Sequence, residues 1–184
     1  MPHTSLFAQP WWVNLFLLIP VIAYGFFRKG LEISTSKLSF AAIYATAMGF
    51  LESAVVVYLR AATGLLPDGK QTPSPHQVLS EMTRRLFTIE IYREAATIVM
   101  LVAVALLAVE TARERWAIFL WTFAIWDITY YIGLRLTIGW PASLATTDVL
   151  FLMPVPWVAE VWFPVLVSGL CMAAVIAGRR KQRR

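Results

Sequence analysis

Three ionisable side chains lie at the start of the longest apolar stretch of this chain. The segment "EIYREAATI" at residues 90–98 carries Glu90, Arg93 and Glu94 into the run "AATIVMLVAVALLAV". An Asp, Lys or Arg at the centre of a bilayer costs roughly 2.5 to 3.5 kcal/mol on insertion scales, so such groups must face one another or water. The chemistry that they offer is proton exchange, cation binding or general acid-base catalysis.

Two further apolar segments carry acidic side chains in the same way. Glu52 lies in the second apolar segment of the chain, and Asp127 lies near the middle of the fourth. Tyr131 follows Asp127 at i+4, which places both side chains on one face of a helix. Arg135 follows at i+8, and eight residues make about 800° of rotation, which is two turns and about 80° and lies within the stripe of about 100° that one helix face covers. We therefore expect these three side chains to share one face.

Composition indicates where these residues lie. The chain has 184 residues, of which 59% are apolar and 15% are charged, and its mean hydropathy is +0.65. This is too little charge to cover a soluble surface and enough apolar length for several membrane spans. The sequence therefore predicts an all-α, polytopic integral membrane helical bundle. It forms a single transmembrane domain over residues 1–178, followed by a basic cytoplasmic tail at residues 179–184.

A window of about 19 residues predicts five transmembrane helices. These spans cover about residues 10–27, 38–59, 89–109, 116–138 and 157–177. Each is close to the length of roughly 20 residues that a bilayer core of about 30 Å requires. The apolar piece "VLFLMPVP" before the last span is too short to cross and contains Pro154 and Pro156. We therefore predict a short interfacial or re-entrant segment there.

The distribution of lysine and arginine predicts the orientation. Ten of these residues fall in the connections after the first and third spans and in the tail, and five fall on the other side. The positive-inside rule makes the first side cytoplasmic. The sequence thus predicts a multi-pass protein of the plasma membrane, with the N terminus extracytoplasmic and the C terminus cytoplasmic. The acidic residues of the second, third and fourth spans then lie in the outer half of the bilayer.

The sequence lacks the motifs of several classes of enzyme and cofactor site. It contains no Gly-x-Ser-x-Gly, His-Glu-x-x-His, Cys-x-x-Cys or Gly-rich phosphate loop, and Cys171 is its only cysteine. We assign no cofactor and no metal site, although oxygen ligands alone would favour a hard cation such as Mg²⁺. The net charge of +5 lies beside apolar segments and in the tail. That placement favours anionic membrane lipid as a partner and argues against nucleic acid.

The buried charges predict a candidate site that opens to the extracytoplasmic side. We expect it to bind an ion, a proton, or a small or lipid substrate such as a lipid head group. No catalytic residue is assigned, and the oligomeric state stays open. The candidate binding residues are Glu52, Glu90, Arg93, Glu94, Asp127, Tyr131, Arg135 and Asp148.

Three alternatives remain open on the same residues. The protein could be an intramembrane enzyme that acts on a lipid or lipid-linked substrate at the outer leaflet, with one carboxylate as general acid or base and an arginine holding the head group. It could be a non-catalytic subunit of a membrane complex, whose charged stripe docks a partner span. The arginines could also serve only to neutralise the acids, as a clamp that fixes helix packing.

Overall fold

The apolar segments of the chain fold into helices in the order that the sequence predicts. A computed structural model describes residues 8–66, 84–150 and 155–179 and is mostly helical. In chain order the elements of these ranges are a 3₁₀-helix (Trp11–Leu17), α1 (Leu18–Phe27), α2 (Thr35–Ala62), α3 (Arg84–Ala108), α4 (Ala112–Ile138), β1 (Thr147–Leu150), β2 (Trp157–Glu160) and α5 (Trp162–Gly178).

Helices α2, α3 and α4 are long and apolar enough to cross a membrane. They contain 28, 25 and 27 residues and correspond to the second, third and fourth predicted spans. The two other apolar helical segments, at residues 11–27 and 162–178, are shorter than a full span. The prediction of a helical protein with long apolar helices is therefore confirmed in this coarser form.

A β-hairpin precedes α5, where the sequence analysis predicted only helices and an interfacial or re-entrant segment. Strands β1 and β2 pair antiparallel, with Thr147 opposite Glu160 and Leu150 opposite Trp157. The β-branched and aromatic residues of these strands favour extended backbone. As a result, α5 begins at Trp162, five residues after the predicted start of the fifth span. Residues 151–154, which include Pro154, lie outside the described residues.

Local signals in the sequence set the ends of the helices. Ser34 caps α2, because its Oγ accepts a hydrogen bond of 3.3 Å from the Lys37 backbone N–H. Thr111 and Glu114 form a reciprocal cap on α4: the Thr111 hydroxyl accepts from the Glu114 N–H at 3.3 Å and donates to its carboxylate at 3.0 Å. At the other end of α4, Gly139 has a φ of +70°, which terminates the helix in the left-handed region.

Helix α4 is the centre of the bundle. It packs against α2, α3 and α5, and α1 packs against α5. The crossing of α2 and α4 is close because small residues lie at it. A Cβ added at Gly49 would lie 2.6 Å from the Trp126 carbonyl oxygen, and one added at Gly133 would clash with the Ser53 side chain. This close approach brings the second half of α2, including Glu52, against α4.

The basic α1–α2 and α3–α4 connections, with Arg28, Lys29, Arg113 and Arg115 in or directly beside them, lie at one end of the bundle. The Leu31 N–H donates to the Gly178 carbonyl oxygen at 2.9 Å, and the Glu32 N–H donates to the Glu114 carboxylate at 3.2 Å. These bonds join the α1–α2 connection to the end of α5 and the start of α4. The opposite end of the bundle holds the end of α2, the start of α3, the end of α4 and the hairpin.

The close crossing of α2 and α4 generates a stability test. Gly49→Ala should lower the free energy of unfolding by about 1 to 3 kcal/mol, because the new methyl group overlaps the α4 backbone. Gly169→Ala in α5 is the matched control, since no atom lies within 4 Å of a Cβ added there. Thermal unfolding in detergent measures both variants. Equal stability of the two would show that the crossing is not tightly packed.

Candidate functional site

A cavity of about 120 Å³ lies at the end of the bundle opposite the basic connections. Four helices and the β-hairpin contribute to its wall, which is largely aromatic and aliphatic. Ionisable groups interrupt this wall, and among the described residues five carboxyl groups and two guanidinium groups line the cavity. They are Glu52, Arg60, Glu90, Arg93, Glu94, Asp127 and Asp148.

Arg93 joins two glutamates that come from different helices. Its Nε and Nη2 atoms donate to Glu90 Oε2, one turn earlier on α3, at 2.9 and 2.6 Å. Its Nη1 atom forms an ion pair with Glu52 Oε1 on α2. The other Glu52 oxygen accepts a hydrogen bond of 3.4 Å from the Thr97 hydroxyl. The Glu52 and Glu90 side chains are only 7% and 5% exposed, so Arg93 supplies a counter-charge to both carboxyl groups away from water.

Asp127 connects the central helix to α5. Its Oδ2 atom accepts a hydrogen bond of 2.8 Å from the Ser168 hydroxyl. Both residues are buried and both line the cavity. The serine hydroxyl therefore fixes the orientation of this carboxyl group, while no described basic residue forms an ion pair with it.

Asp148 lies on strand β1 and is held by two donors. The Tyr131 hydroxyl donates to Oδ2 at 3.1 Å, and the Val149 N–H donates to Oδ1 at 2.9 Å. Burial raises the pKa of Asp148 to about 6, because it outweighs the opposing effects of the Arg60 charge and of the two hydrogen bonds. This carboxyl group therefore titrates close to neutral pH.

Arg60 lines the cavity but is not among the site residues predicted from the sequence. Its guanidinium lies 4.1 Å from the centroid of the Trp140 ring, a cation–π contact. It follows Glu52 by eight residues on α2, which is the spacing that the sequence analysis used for Asp127 and Arg135. That spacing could have identified Arg60, which was instead counted only as an extracytoplasmic charge.

The structure brings most of the predicted site residues together, with one exception. Glu94 is half-buried and lines the cavity, and Tyr131 reaches the site through its bond to Asp148. Arg135 is exposed and does not line the cavity. Its Nη1 atom instead donates to the carbonyl oxygens of Gly139 and Pro141 at 2.7 and 2.9 Å, just beyond the end of α4.

The described part of the chain contains no group of three or more His, Cys, Asp or Glu side chains arranged to hold a metal ion. No protein-family model, curated protein or solved structure matches this chain. The function is therefore argued from the geometry and charge of the cavity.

The cluster of Arg93, Glu52 and Glu90 generates a prediction on stability. Arg93→Met should lower the free energy of unfolding by about 3 to 5 kcal/mol, because it leaves two buried carboxylates without their counter-charge. The triple variant Arg93→Met, Glu52→Gln, Glu90→Gln should recover most of this loss, since it buries no unmatched charge.

Unfolding in detergent at neutral pH measures the two variants beside the wild type. Arg28→Met is the matched control, because Arg28 is exposed and makes no ion pair within the described ranges. If Arg93→Met were as stable as Arg28→Met, the cluster would not stabilise the fold.

Proposed function

We propose that this protein is a multi-pass membrane protein whose cavity binds a small ligand that carries a positively charged group. The observation that carries the proposal is the lining, in which five carboxyl groups accompany two guanidinium groups. A buried excess of negative charge is costly unless protons or a cation compensate it. A ligand with an ammonium group would supply that positive charge.

The local contacts support this account of the charge. Arg93 is already matched by Glu52 and Glu90. The remaining lining includes the carboxyl groups of Asp127 and Asp148 and the Arg60 guanidinium. Both carboxyl groups are held in place by hydroxyl donors. Carboxylates oriented in advance bind a cation with a smaller loss of conformational entropy.

The aromatic wall of the cavity fits the same class of ligand. Rings of Phe123, Trp126, Tyr130, Trp140 and Trp157 line it. The faces of aromatic rings attract cations, and ammonium groups are often bound among several rings. An apolar wall with a few oriented polar groups is also the usual composition of a small-molecule site.

The exposed apolar surface supports the membrane location. Phe40 and Ile43 on α2 are 70% and 65% exposed, and Leu107 on α3 is 88% exposed. Apolar side chains exposed to this extent along long helices are suited to lipid. We propose that α2, α3 and α4 cross the membrane, together with two shorter spans formed by the 3₁₀-helix with α1 and by α5. The basic connections at one end would then be cytoplasmic, and the cavity would face the extracytoplasmic side.

A second candidate function is an enzyme that acts on a lipid or lipid-linked substrate. The observation that favours it is the pKa of about 6 at Asp148, since a general acid or base works best near the ambient pH. An enzyme of this kind would convert a lipid substrate, and Asp148→Asn would abolish that conversion without preventing ligand binding elsewhere in the cavity.

The binding proposal can be tested with ethanolamine and its neutral analogue ethylene glycol. Isothermal titration calorimetry on the detergent-solubilised protein should detect ethanolamine alone. Its affinity should rise as the pH increases through about 6, because the Asp148 carboxyl is neutral below its pKa and anionic above it. Asp148→Asn should weaken binding by about tenfold and flatten this pH dependence.

Glu110→Gln is the control for the loss of one carboxylate, because Glu110 is exposed and does not line the cavity. It should bind ethanolamine as the wild type does. An equal response to ethanolamine and ethylene glycol, or an affinity that does not change with pH, would contradict the proposal.

The orientation can be tested by cysteine labelling in intact cells. Leu66→Cys lies beyond the end of α2 on the cavity side, and Ser36→Cys lies in the first turn of α2 at the other end. A membrane-impermeant thiol reagent should label the first variant and leave the second unlabelled until the cells are permeabilised. The native Cys171 is 2% exposed, so background labelling should be low. The reverse pattern would place the cavity on the cytoplasmic side.

A further inference from the structure

The two guanidinium groups of the cavity differ in their partners. Arg93 is held by carboxylates of α2 and α3. Arg60, by contrast, forms no ion pair with any carboxylate of the described residues, and its Nη1 atom is buried without a hydrogen-bond partner among them. A buried donor on a charged group is costly to leave unpaired. This donor is therefore positioned for an acceptor that the described chain does not supply.

Two indole groups of the same cavity show the same feature. Trp126 and Trp157 both line the cavity and are 8% and 3% exposed. The Nε1 atom of each is buried without a hydrogen-bond partner in the described ranges. An indole N–H can only donate. The cavity thus combines donors that lack an acceptor with an excess of carboxyl groups.

We propose that the ligand of this cavity is a zwitterion, in which one group is a cation held by the carboxylates and the other is an oxyanion bound by Arg60. This inference rests on the proposed function and adds the second half of the ligand. Arginine is the side chain best suited to bind carboxylate or phosphate oxygens, because its planar guanidinium donates two parallel hydrogen bonds. The Arg60 guanidinium lies over the Trp140 ring, and its Nη1 donor has no hydrogen-bond partner among the described residues.

The positions of the charges fit a ligand with two opposite ends. Arg60 and Glu52 are eight residues apart on α2, which corresponds to about 12 Å along the helix axis. Tyr130 on α4 also lines the cavity, and it interacts electrostatically with Arg60 and Asp148 as well as with Arg93 and Glu94. A molecule that spans part of this distance can contact the guanidinium through its oxyanion at one end and the carboxylates through its cation at the other.

The size of the cavity limits the ligand to a small molecule or to the head group of a larger one. At about 10 to 15 Å³ for each water-sized group, 120 Å³ holds roughly eight to twelve such groups. O-phosphoethanolamine has a phosphate and an ammonium separated by two carbons and falls within this range. The same chemistry occurs in the head group of phosphatidylethanolamine and in small soluble zwitterions, so the source of the ligand has to be distinguished by experiment.

The experiment compares ethanolamine with O-phosphoethanolamine on the full chain in nanodiscs of phosphatidylcholine. The wild type should bind O-phosphoethanolamine at least about tenfold more tightly than ethanolamine, as expected for added hydrogen bonds to a charged group. Arg60→Gln should remove this difference, so that the two probes bind the variant with similar affinities. Arg60→Lys should restore part of it, because the charge returns without the planar pair of donors.

Arg135→Gln is the matched control, since Arg135 is exposed and lies outside the cavity lining. It should bind both probes as the wild type does. The inference is overturned, and the proposed function survives, if ethanolamine binds but the phosphate adds no affinity or if Arg60→Gln leaves the difference intact. If the wild type binds neither probe, the proposed function fails and the inference fails with it.

A second set of nanodiscs identifies the source of the ligand. If the lipid head group is the natural occupant, phosphatidylethanolamine in the disc should compete and weaken the apparent affinity for O-phosphoethanolamine. If the natural ligand is a soluble zwitterion, the affinity should be the same in both kinds of disc. Either result supports the zwitterion site and assigns it to one source.

Discussion

The neutralisation of Arg93 by Glu52 and Glu90 is the interaction on which the arrangement of the site depends. Helices α2 and α3 make few other contacts in the described ranges, so this cluster is their principal connection. A guanidinium in an apolar environment is tolerated only when its charge is matched and its donors are bonded. The cluster therefore fixes the position of α3 against α2 and closes one side of the cavity.

Helix α4 supplies the frame for the other side. The small residues Gly49 and Gly133 allow α2 to approach it closely, and Asp127 and Tyr131 project from it toward α5 and β1. These side chains belong to a helix that is packed in the core and not to a loop, so the packing of the helix fixes their positions. A site built in this way holds its carboxyl groups in fixed positions.

Spacing and depth in the sequence were sufficient to predict which residues share one end of the bundle. Successive helices run in opposite directions, so Glu52 late in α2 and Glu90 early in α3 come to the same end. Arg93 also contacts Glu90 three residues earlier on α3, a spacing that places both side chains on one face of the helix. The bond from Arg93 to Glu52 joins residues 41 positions apart and depends on tertiary packing. Local periodicity contains no information on such a pair, nor on the short hairpin before α5.

Arg60 and Arg135 show why spacing alone could not separate a site residue from a surface residue. Each follows a buried carboxylic acid by eight residues on its own helix. Gly139 ends α4 one turn after Arg135, and the carbonyl groups exposed there bind its guanidinium. Arg60 lies beside the Trp140 ring, which offers a π face and no acceptor oxygen, so its Nη1 donor is left for another partner. The two arginines of the cavity therefore differ: Arg93 joins α2 and α3 through its ion pairs, whereas Arg60 keeps one donor that no described residue pairs.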